Sequence, residues 1–392
     1  MSEGILAAFV PLVDCAVLVV AREKGFMRER GIELDLVREP SWSSLRDHLN
    51  LGHVDCAHAL APLPIASTLG VGHVEAPMSV PFVLSRGGNA ITLAVDLARA
   101  IEQAEPGAVD PGAATGTSLA WGRGLGRIIQ ARDKPLTLAM VHAFSGHNFE
   151  LRYWLAAAGI HPDQQLRIVA IPPPLMVESL AAGHVDGFCV GEPWSSLAVE
   201  RGIGRIVATK AQLFPHGVEK VLAVRPALAA RAPRLRALLA ALLGAADWAD
   251  DPANHTELAA ILARREYLDM PAEIIRRSLE GRLALGGDAV LHDPDFLYFR
   301  RHEANAPSRD EALWIYAQML RWGQLPARMD FRDRAADVFR PDLYREAVGE
   351  YGPEVTAAVS TFDDVAFSGS DIDAYLKQFA LHTDFVVTRS TL

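Results

Sequence analysis

One twelve-residue pattern occurs twice, and it constrains the fold more than any other feature of the chain. Residues 44–55 end in Gly52-His53-Val54-Asp55, and residues 175–186 end in Gly183-His184-Val185-Asp186. Each copy reads as an amphipathic helix, a glycine that stops it, and a short Val-Asp entry into a buried strand. The copies lie about 130 residues apart, too far for a solenoid repeat and suited to one unit in each of two similar lobes.

The chain between and around the copies alternates strand with helix, the pattern of an α/β protein with a mainly parallel sheet. Strand Ile5–Val10, a turn at Pro11–Asp14, helix Ala16–Arg30 and strand Ile32–Val37 are expected first. A helix to about Leu51, strand Val54–Ala57, helix Leu63–Leu69 and strand Val80–Leu84 follow. A second alternating run occupies residues 89–219, with a Pro- and Gly-rich loop at Glu105–Gly116 and a turn expected at Gly122-Arg123-Gly124-Leu125-Gly126. After strand Val221–Val224 the sequence reads as helical almost to its end. A chain that leaves one lobe, builds another and returns makes two crossovers, placed near Ser85–Asn89 and Glu219–Val221. Residues 1–88 with 220–392 then form lobe I, and residues 89–219 form lobe II. A cleft between lobes is where ligands bind.

Half of the 392 residues are apolar and 22% are charged, which suits two packed cores. Lys and Arg number 38 against 48 Asp and Glu, a net charge of −10 with no basic run, so direct nucleic-acid binding is disfavoured. No apolar stretch has the length of a membrane span. Cys15, Cys56 and Cys189 form no CxxC pair and read as small buried residues of a reducing compartment. Residues Gly4 to Ala21 are apolar, yet no basic stretch precedes them, Asp14 interrupts them and no small-residue cleavage site follows. They read as structure rather than a leader, which sets a cytoplasmic expectation.

Phosphate-binding, serine-hydrolase and zinc-protease motifs are absent, and no cofactor is called for. His48, His53 and His58 fall on a helix, a turn and a strand, so they share no face for a metal. His147 and Glu150 can meet across one helical turn, but two ligands do not make a metal site. Several longer runs taken together are more specific. They are Phe9-Val10-Pro11-Leu12-Val13-Asp14-Cys15-Ala16, Ala21-Arg22-Glu23-Lys24-Gly25-Phe26, Glu39-Pro40-Ser41-Trp42 and Leu151-Arg152-Tyr153-Trp154-Leu155-Ala156. Pro172-Pro173-Pro174, Val190-Gly191-Glu192-Pro193-Trp194 and Arg321-Trp322-Gly323 complete the set. Over nearly the whole chain these resemble the nitrate/bicarbonate-binding family of ABC-transport receptors. The resemblance implies a type II periplasmic-binding-protein-like fold, with two lobes joined by two hinge crossovers and the ligand cleft between them.

By the same resemblance the family's anion site falls on Trp42, Asn89, His147 and Lys220, with Asn89 standing where the transport receptors have Gln. Nitrate carries one negative charge on three oxygens and no proton, so donors suit it: the Trp42 indole N–H, the Lys220 ammonium, an Asn89 amide NH₂ and a His147 ring N–H. Bicarbonate needs an acceptor for its hydroxyl, and the receptors for it place an acid where Lys220 stands, so nitrate or nitrite is favoured. The resemblance is strongest to NasS-type sensors, which implies a NasT-type RNA-binding antiterminator as partner, released when the anion binds. The alternatives are the substrate-binding component of a nitrate-type ABC transporter and an enzyme on the same fold. The enzyme would need a cleft carboxylate, for which Asp14 and Glu192 are the candidates, although Asp14 reads as a turn residue and Glu192 as a local cap.

Overall fold

The computed structural model describes residues 4–72, 74–106, 116–325, 331–349 and 359–384, and in it both copies of the repeat do the same work. Gly52 and Gly183 take left-handed backbone conformations (φ 83° and 69°) that end their helices. The carboxylates of Asp55 and Asp186 then accept from the backbone N–H of Leu6 (3.0 Å) and Thr137 (2.8 Å), 49 residues upstream in each case. Each repeat therefore fastens the strand that follows it to a parallel neighbour in the same sheet.

The first lobe opens with β1 (Ile5–Phe9), α1 (Ala16–Glu23), β2 (Leu34–Arg38), α2 (Trp42–Leu51), β3 (Cys56–Leu60), α3 (Pro62–Leu69) and β4 (Ser79–Gly87). The second contains β5 (Asn89–Ala94), α4 (Val95–Ala104), α5 (Gly116–Gln130), β6 (Thr137–Met140), α6 (Gly146–Ala157) and β7 (Arg167–Ala170). It continues through α7 (Met176–Ala181), β8 (Gly187–Gly191), α8 (Trp194–Glu200), β9 (Gly204–Thr209) and α9 (Lys210–Leu213). The chain returns with β10 (Val218–Val224), α10 (Pro226–Ala229), α11 (Ala232–Asp250), α12 (His255–Leu262) and α13 (Ala272–Leu279). A hairpin of β11 (Arg282–Gly286) and β12 (Ala289–His292), then β13 (Leu297–Tyr298) and α14 (Arg309–Arg321), follow. Short helices α15 (Arg332–Ala336), α16 (Pro341–Val348) and α17 (Ile372–Leu376) complete the described elements.

The sheets run β13-β4-β10-β3-β1-β2 and β7-β6-β8-β5-β9. Apart from β13 they are built alike. β1 is parallel to β2 and β3 as β6 is to β7 and β8, while β10 and β5 each lie antiparallel to both neighbours. The strand that enters each sheet against the grain, β5 or β10, arrives from the other lobe. Gly87 and Gly88 make the first passage at φ 72° and 84°, where a side chain on Gly87 would strike the Phe296 carbonyl. The second passage is α9 and the loop to β10. Asn89 and Lys220 therefore stand where the chain enters each sheet.

Three expectations need correction. The first helix stops at Glu23, because Gly25 turns left-handed (φ 83°) and the chain bends before β2. The Gly122–Gly126 run is the interior of α5 rather than a turn. A Cβ on Gly122 would lie 2.7 Å from Ala158 Cβ, and one on Gly124 would lie 2.5 Å from Ile101 Cγ2. These glycines give α5 close contact with its neighbours, and packing overrides their turn preference. The region after β10 is also not helical throughout, since Gly286 and Gly287 at positive φ close the β11–β12 hairpin. Most of the expected Glu105–Gly116 loop, residues 107–115, lies outside the described residues. Residues 359–384, counted with lobe I from sequence, touch both lobes: the Tyr375 hydroxyl accepts from Trp314 Nε1 (3.0 Å) and Gln318 Nε2 (3.1 Å) of α14, and other contacts reach lobe II. Phe362 N–H donates to the Leu213 carbonyl (2.9 Å), and Tyr153 packs edge-on against Phe379.

The equivalence of the two Asp residues is testable. Asp55→Ala and Asp186→Ala are each expected to cost about 1 kcal/mol in urea unfolding, because a part-buried backbone N–H loses its charged acceptor. Their effects should add in the double variant, since the sites lie in different lobes.

Candidate functional site

Each residue named from sequence is set by a local structural cause. Ser41 caps α2 by accepting from Ser44 N–H (3.1 Å), which puts Trp42 in the helix's first turn. Ser145 caps α6 in the same way from Asn148 N–H (3.0 Å), which puts His147 in that first turn. First-turn N–H groups are uncommitted and carry partial positive charge. Asn89 opens β5 opposite Gly191. Lys220 lies in β10, where the register with β4 slips on both sides of it. Such a bulge re-aims side chains, and Glu219 and Lys220 end up paired with each other. Trp42, Asn89, His147 and Lys220 all have no solvent exposure.

A continuous chain of charged and polar groups joins them across the two lobes. His58 Nε2 lies 2.8 Å from one oxygen of Asp14, and Lys220 Nζ lies 2.8 Å from the other. Lys220 Nζ also donates to Glu219 Oε1 (2.8 Å) and stands 5.5 Å from the centre of the Trp42 ring. The second Glu219 oxygen accepts from Lys210 Nζ (2.5 Å), which further donates to Glu150 Oε1 (2.6 Å) and the Val218 carbonyl (2.9 Å). Glu150 in turn accepts from the Asn89 amide at 3.0 and 3.2 Å. A Cβ on Gly146 would come within 2.5 Å of Glu219 and 2.9 Å of Glu150, so glycine there lets α6 approach the carboxylates.

Burial opposes the charge on every member, and neighbours decide the outcome. Asp14 ends below the usual carboxylate range, because Lys220 and His58 outweigh its desolvation. Glu219 falls well below that range under Lys210 and Lys220. Both lysines are held above their ordinary values by the carboxylates they touch. Glu150 rises, with burial ahead of the opposing Lys210. Burial wins outright at His147, whose pKa drops to about 3, so its ring is neutral.

Not every donor is committed. Lys210 spends its three hydrogens on three acceptors, but Lys220 spends two and keeps one. Among the described residues, Trp42 Nε1, both ring nitrogens of His147 and Asn89 Oδ1 find no hydrogen-bond partner. Lys220 and His147 approach the same Glu219 oxygen, at 2.8 and 3.7 Å. The cluster thus holds an unpartnered indole N–H, an ammonium with a hydrogen to spare and an unpartnered imidazole, all closed to bulk solvent. Asn89 departs from expectation: its NH₂ is turned to Glu150, and the atom left over is an acceptor.

Asp14, Glu219 and Lys210 were not among the sequence candidates for ligand contact. Asp14 is more than a turn residue, since it braces Lys220. Glu192 bridges the lobes by accepting from Ser196 N–H (3.2 Å) and Ser278 Oγ (3.3 Å), and burial lifts its pKa to about 7. Trp194 donates to the Pro11 carbonyl (3.3 Å). The His48 and His53 rings meet at 5.4 Å, while His58 turns inward to Asp14.

Two similar lobes joined by two crossovers, with a buried polar cluster between them, make the architecture of a two-lobed binding-protein fold. The NMT1-like family matches residues 3–263. The nitrate/nitrite binding protein NrtA of Synechococcus elongatus is 32% identical over 95% of this chain and 85% of its own length. The nitrate import ATP-binding protein NrtC of Synechocystis is 38% identical over 97% of this chain, which spans only 56% of that relative. The crystal structure of the periplasmic nitrate-binding protein NrtA from Synechocystis superposes with a TM-score of 0.87 at 28% identity, covering 97% of this chain and 99% of that one. The chain therefore belongs to the NMT1-like family, among its nitrate/bicarbonate-binding members, and has their type II periplasmic-binding-protein fold. No helix among the described residues is long and apolar enough to cross a membrane.

Two measurements follow from the charges. Lys220→Met strands Asp14 and Glu219 beside each other, an expected loss of about 3–5 kcal/mol that Asp14→Asn in the same chain should largely restore. His147 titrates lower in the folded chain (about 3) than its ordinary 6.5, so acid favours the unfolded state, which takes up the proton first. Stability is expected to fall as pH drops below about 6.5, and His147→Gln should flatten that slope between pH ~6.5 and ~4.5 in urea midpoints.

Proposed function

We propose that the chain is a nitrate- or nitrite-binding sensor whose lobes close on the anion. The observation that carries this reading is the set of unpartnered donors in a fully buried site: Trp42 Nε1, one Lys220 hydrogen and a His147 ring N–H. Three unpartnered donors match three anionic oxygens in number, and a buried anion without such partners would be prohibitively costly. Lys220, Trp42 and His147 are assigned as direct contacts. Asn89 is assigned a supporting place, fixing Glu150 and presenting an acceptor at the margin.

Since these groups have no exposure, the anion enters only when the lobes part, and closure supplies a two-state element that the ligand biases. The proposed output is release of a NasT-type antiterminator partner inside the cell. Three unpaired, buried cysteines suit that compartment, and the similarity to a segment of an ATP-binding import protein suits the side of the membrane that holds ATP. A second reading, the substrate-binding component of a nitrate-type ABC transporter, is favoured by the match to 85% of an NrtA and uses the same site.

Gel filtration of the chain with its antiterminator partner tests the choice. One complex without anion, dissociating when nitrate or nitrite is added, is the expected result; co-elution indifferent to both anions contradicts the sensor reading. The site itself makes a separate prediction. An anion beside His147 at about 4 Å contributes on the order of 4 kcal/mol toward its protonation, about three pKa units. Nitrate affinity in calorimetry is then expected to be flat above pH ~7 and to tighten toward tenfold per unit below pH ~6, a trend absent in His147→Gln.

A further inference from the structure

Where the second crossover rejoins the first lobe, three loops bring two imidazoles and a carboxylate together. His216 precedes β10, while Asp295 and His302 flank β13. One ligand atom from each lies within 4.8 Å of the other two, the one such trio among the described residues. The His216 and His302 rings stand 5.0 Å apart, and His302 Nε2 lies 3.2 Å from Asp295 Oδ1. His216 Nδ1 is engaged by the Tyr298 hydroxyl at 2.9 Å, which orients the ring and leaves Nε2 free.

The backbone singles out the same residues. Among the described residues five non-glycine residues have positive φ, and His216 (59°) and His302 (58°) are two of them, with Glu303 (54°) beside them. Left-handed backbone at a bulky residue is costly and persists only where the surroundings impose it. Here Arg86 imposes it in part, donating to the His216 carbonyl (2.8 Å) and the Ala304 carbonyl (3.0 Å).

We infer that His216, Asp295 and His302 form a binding site for one divalent transition ion, Zn²⁺ above all, with its remaining positions open to water. Two imidazole nitrogens and a carboxylate oxygen are the ligand set of such ions rather than of Ca²⁺ or Mg²⁺. Bonds of about 2.0–2.1 Å place tetrahedral ligands roughly 3.3–3.4 Å apart, so the trio must contract by about 1.5 Å at most. His302 and Asp295 are solvent-accessible enough to allow this, with side chains 51% and 38% exposed. Arg301 opposes the ion, since its Nε lies 3.3 Å from Asp295 Oδ1. The ion would tie the second crossover to the first lobe three residues before Glu219. This inference stands independently of the anion reading.

The test uses the whole chain, stripped with a chelator, dialysed, and titrated with Zn²⁺ by calorimetry and with Co²⁺ by visible absorption. One ion per chain at micromolar affinity or better is expected, with at least a tenfold loss in His302→Ala and in Asp295→Asn. His302→Cys, which supplies a thiolate, should retain Zn²⁺, and Arg301→Gln should bind it several-fold more tightly. Circular dichroism identifies any variant that has not folded, and His302→Ala alone, at a half-exposed position, suffices for the comparison. Absence of stoichiometric binding, or binding that His302→Ala leaves unchanged, overturns the assignment.

Discussion

The position of one ammonium group organises the centre of this molecule. Lys220 Nζ is held 2.8 Å from Asp14 and 2.8 Å from Glu219, with no solvent to share the charge. Removing it would leave the two carboxylates facing each other across a buried site, and removing both of them would leave it an unpaired buried charge. Through Glu219 the same balance reaches Lys210 and Glu150, and through Glu150 it reaches Asn89 on the other lobe. Strands β5 and β10, the two that cross between lobes, therefore both contribute to a single electrostatic chain. The cleft is wired across the hinge rather than merely lined by two surfaces.

That wiring leaves three carboxylates against two lysines, with His147 neutral. A second anion enters such a site only with unused donors and a means of absorbing its charge. The remaining Lys220 hydrogen and the Trp42 indole serve the first need, and His147, neutral only because it is buried, serves the second. Ligand recognition and proton uptake are then one event at one ring. The duplicated lobe explains how so polar a centre is afforded, since the Asp55 and Asp186 anchors and three apolar clusters hold the surrounding sheets.

Much of the architecture was legible because it is written in local chemistry. The paired Gly-His-Val-Asp units announce two similar lobes through helix stops and strand starts, both short-range effects. Trp42, Asn89, His147 and Lys220 came from the family resemblance rather than from local pattern. Asp14 and Glu219 were harder to place. A carboxylate next to a lysine in a strand ordinarily faces away from it, and only the slipped register of β10 brings Glu219 round. Asp14 interrupts an apolar run, which is equally the mark of a turn. The direction of the Asn89 amide depends on Glu150, 61 residues away, and the α5 glycines depend on side chains of neighbouring helices. Such tertiary dependences leave no trace in local pattern.

The central claim is that the uncommitted donors beside Lys220 are the anion's contacts, and a crystal structure with nitrate tests it most directly. The account predicts one nitrate within hydrogen-bond distance of Trp42 Nε1, Lys220 Nζ and a His147 ring nitrogen, with the Asp14 and Glu219 contacts to Lys220 preserved. Nitrate bound elsewhere, or bound while Trp42 Nε1 and His147 remain unpartnered, would contradict it.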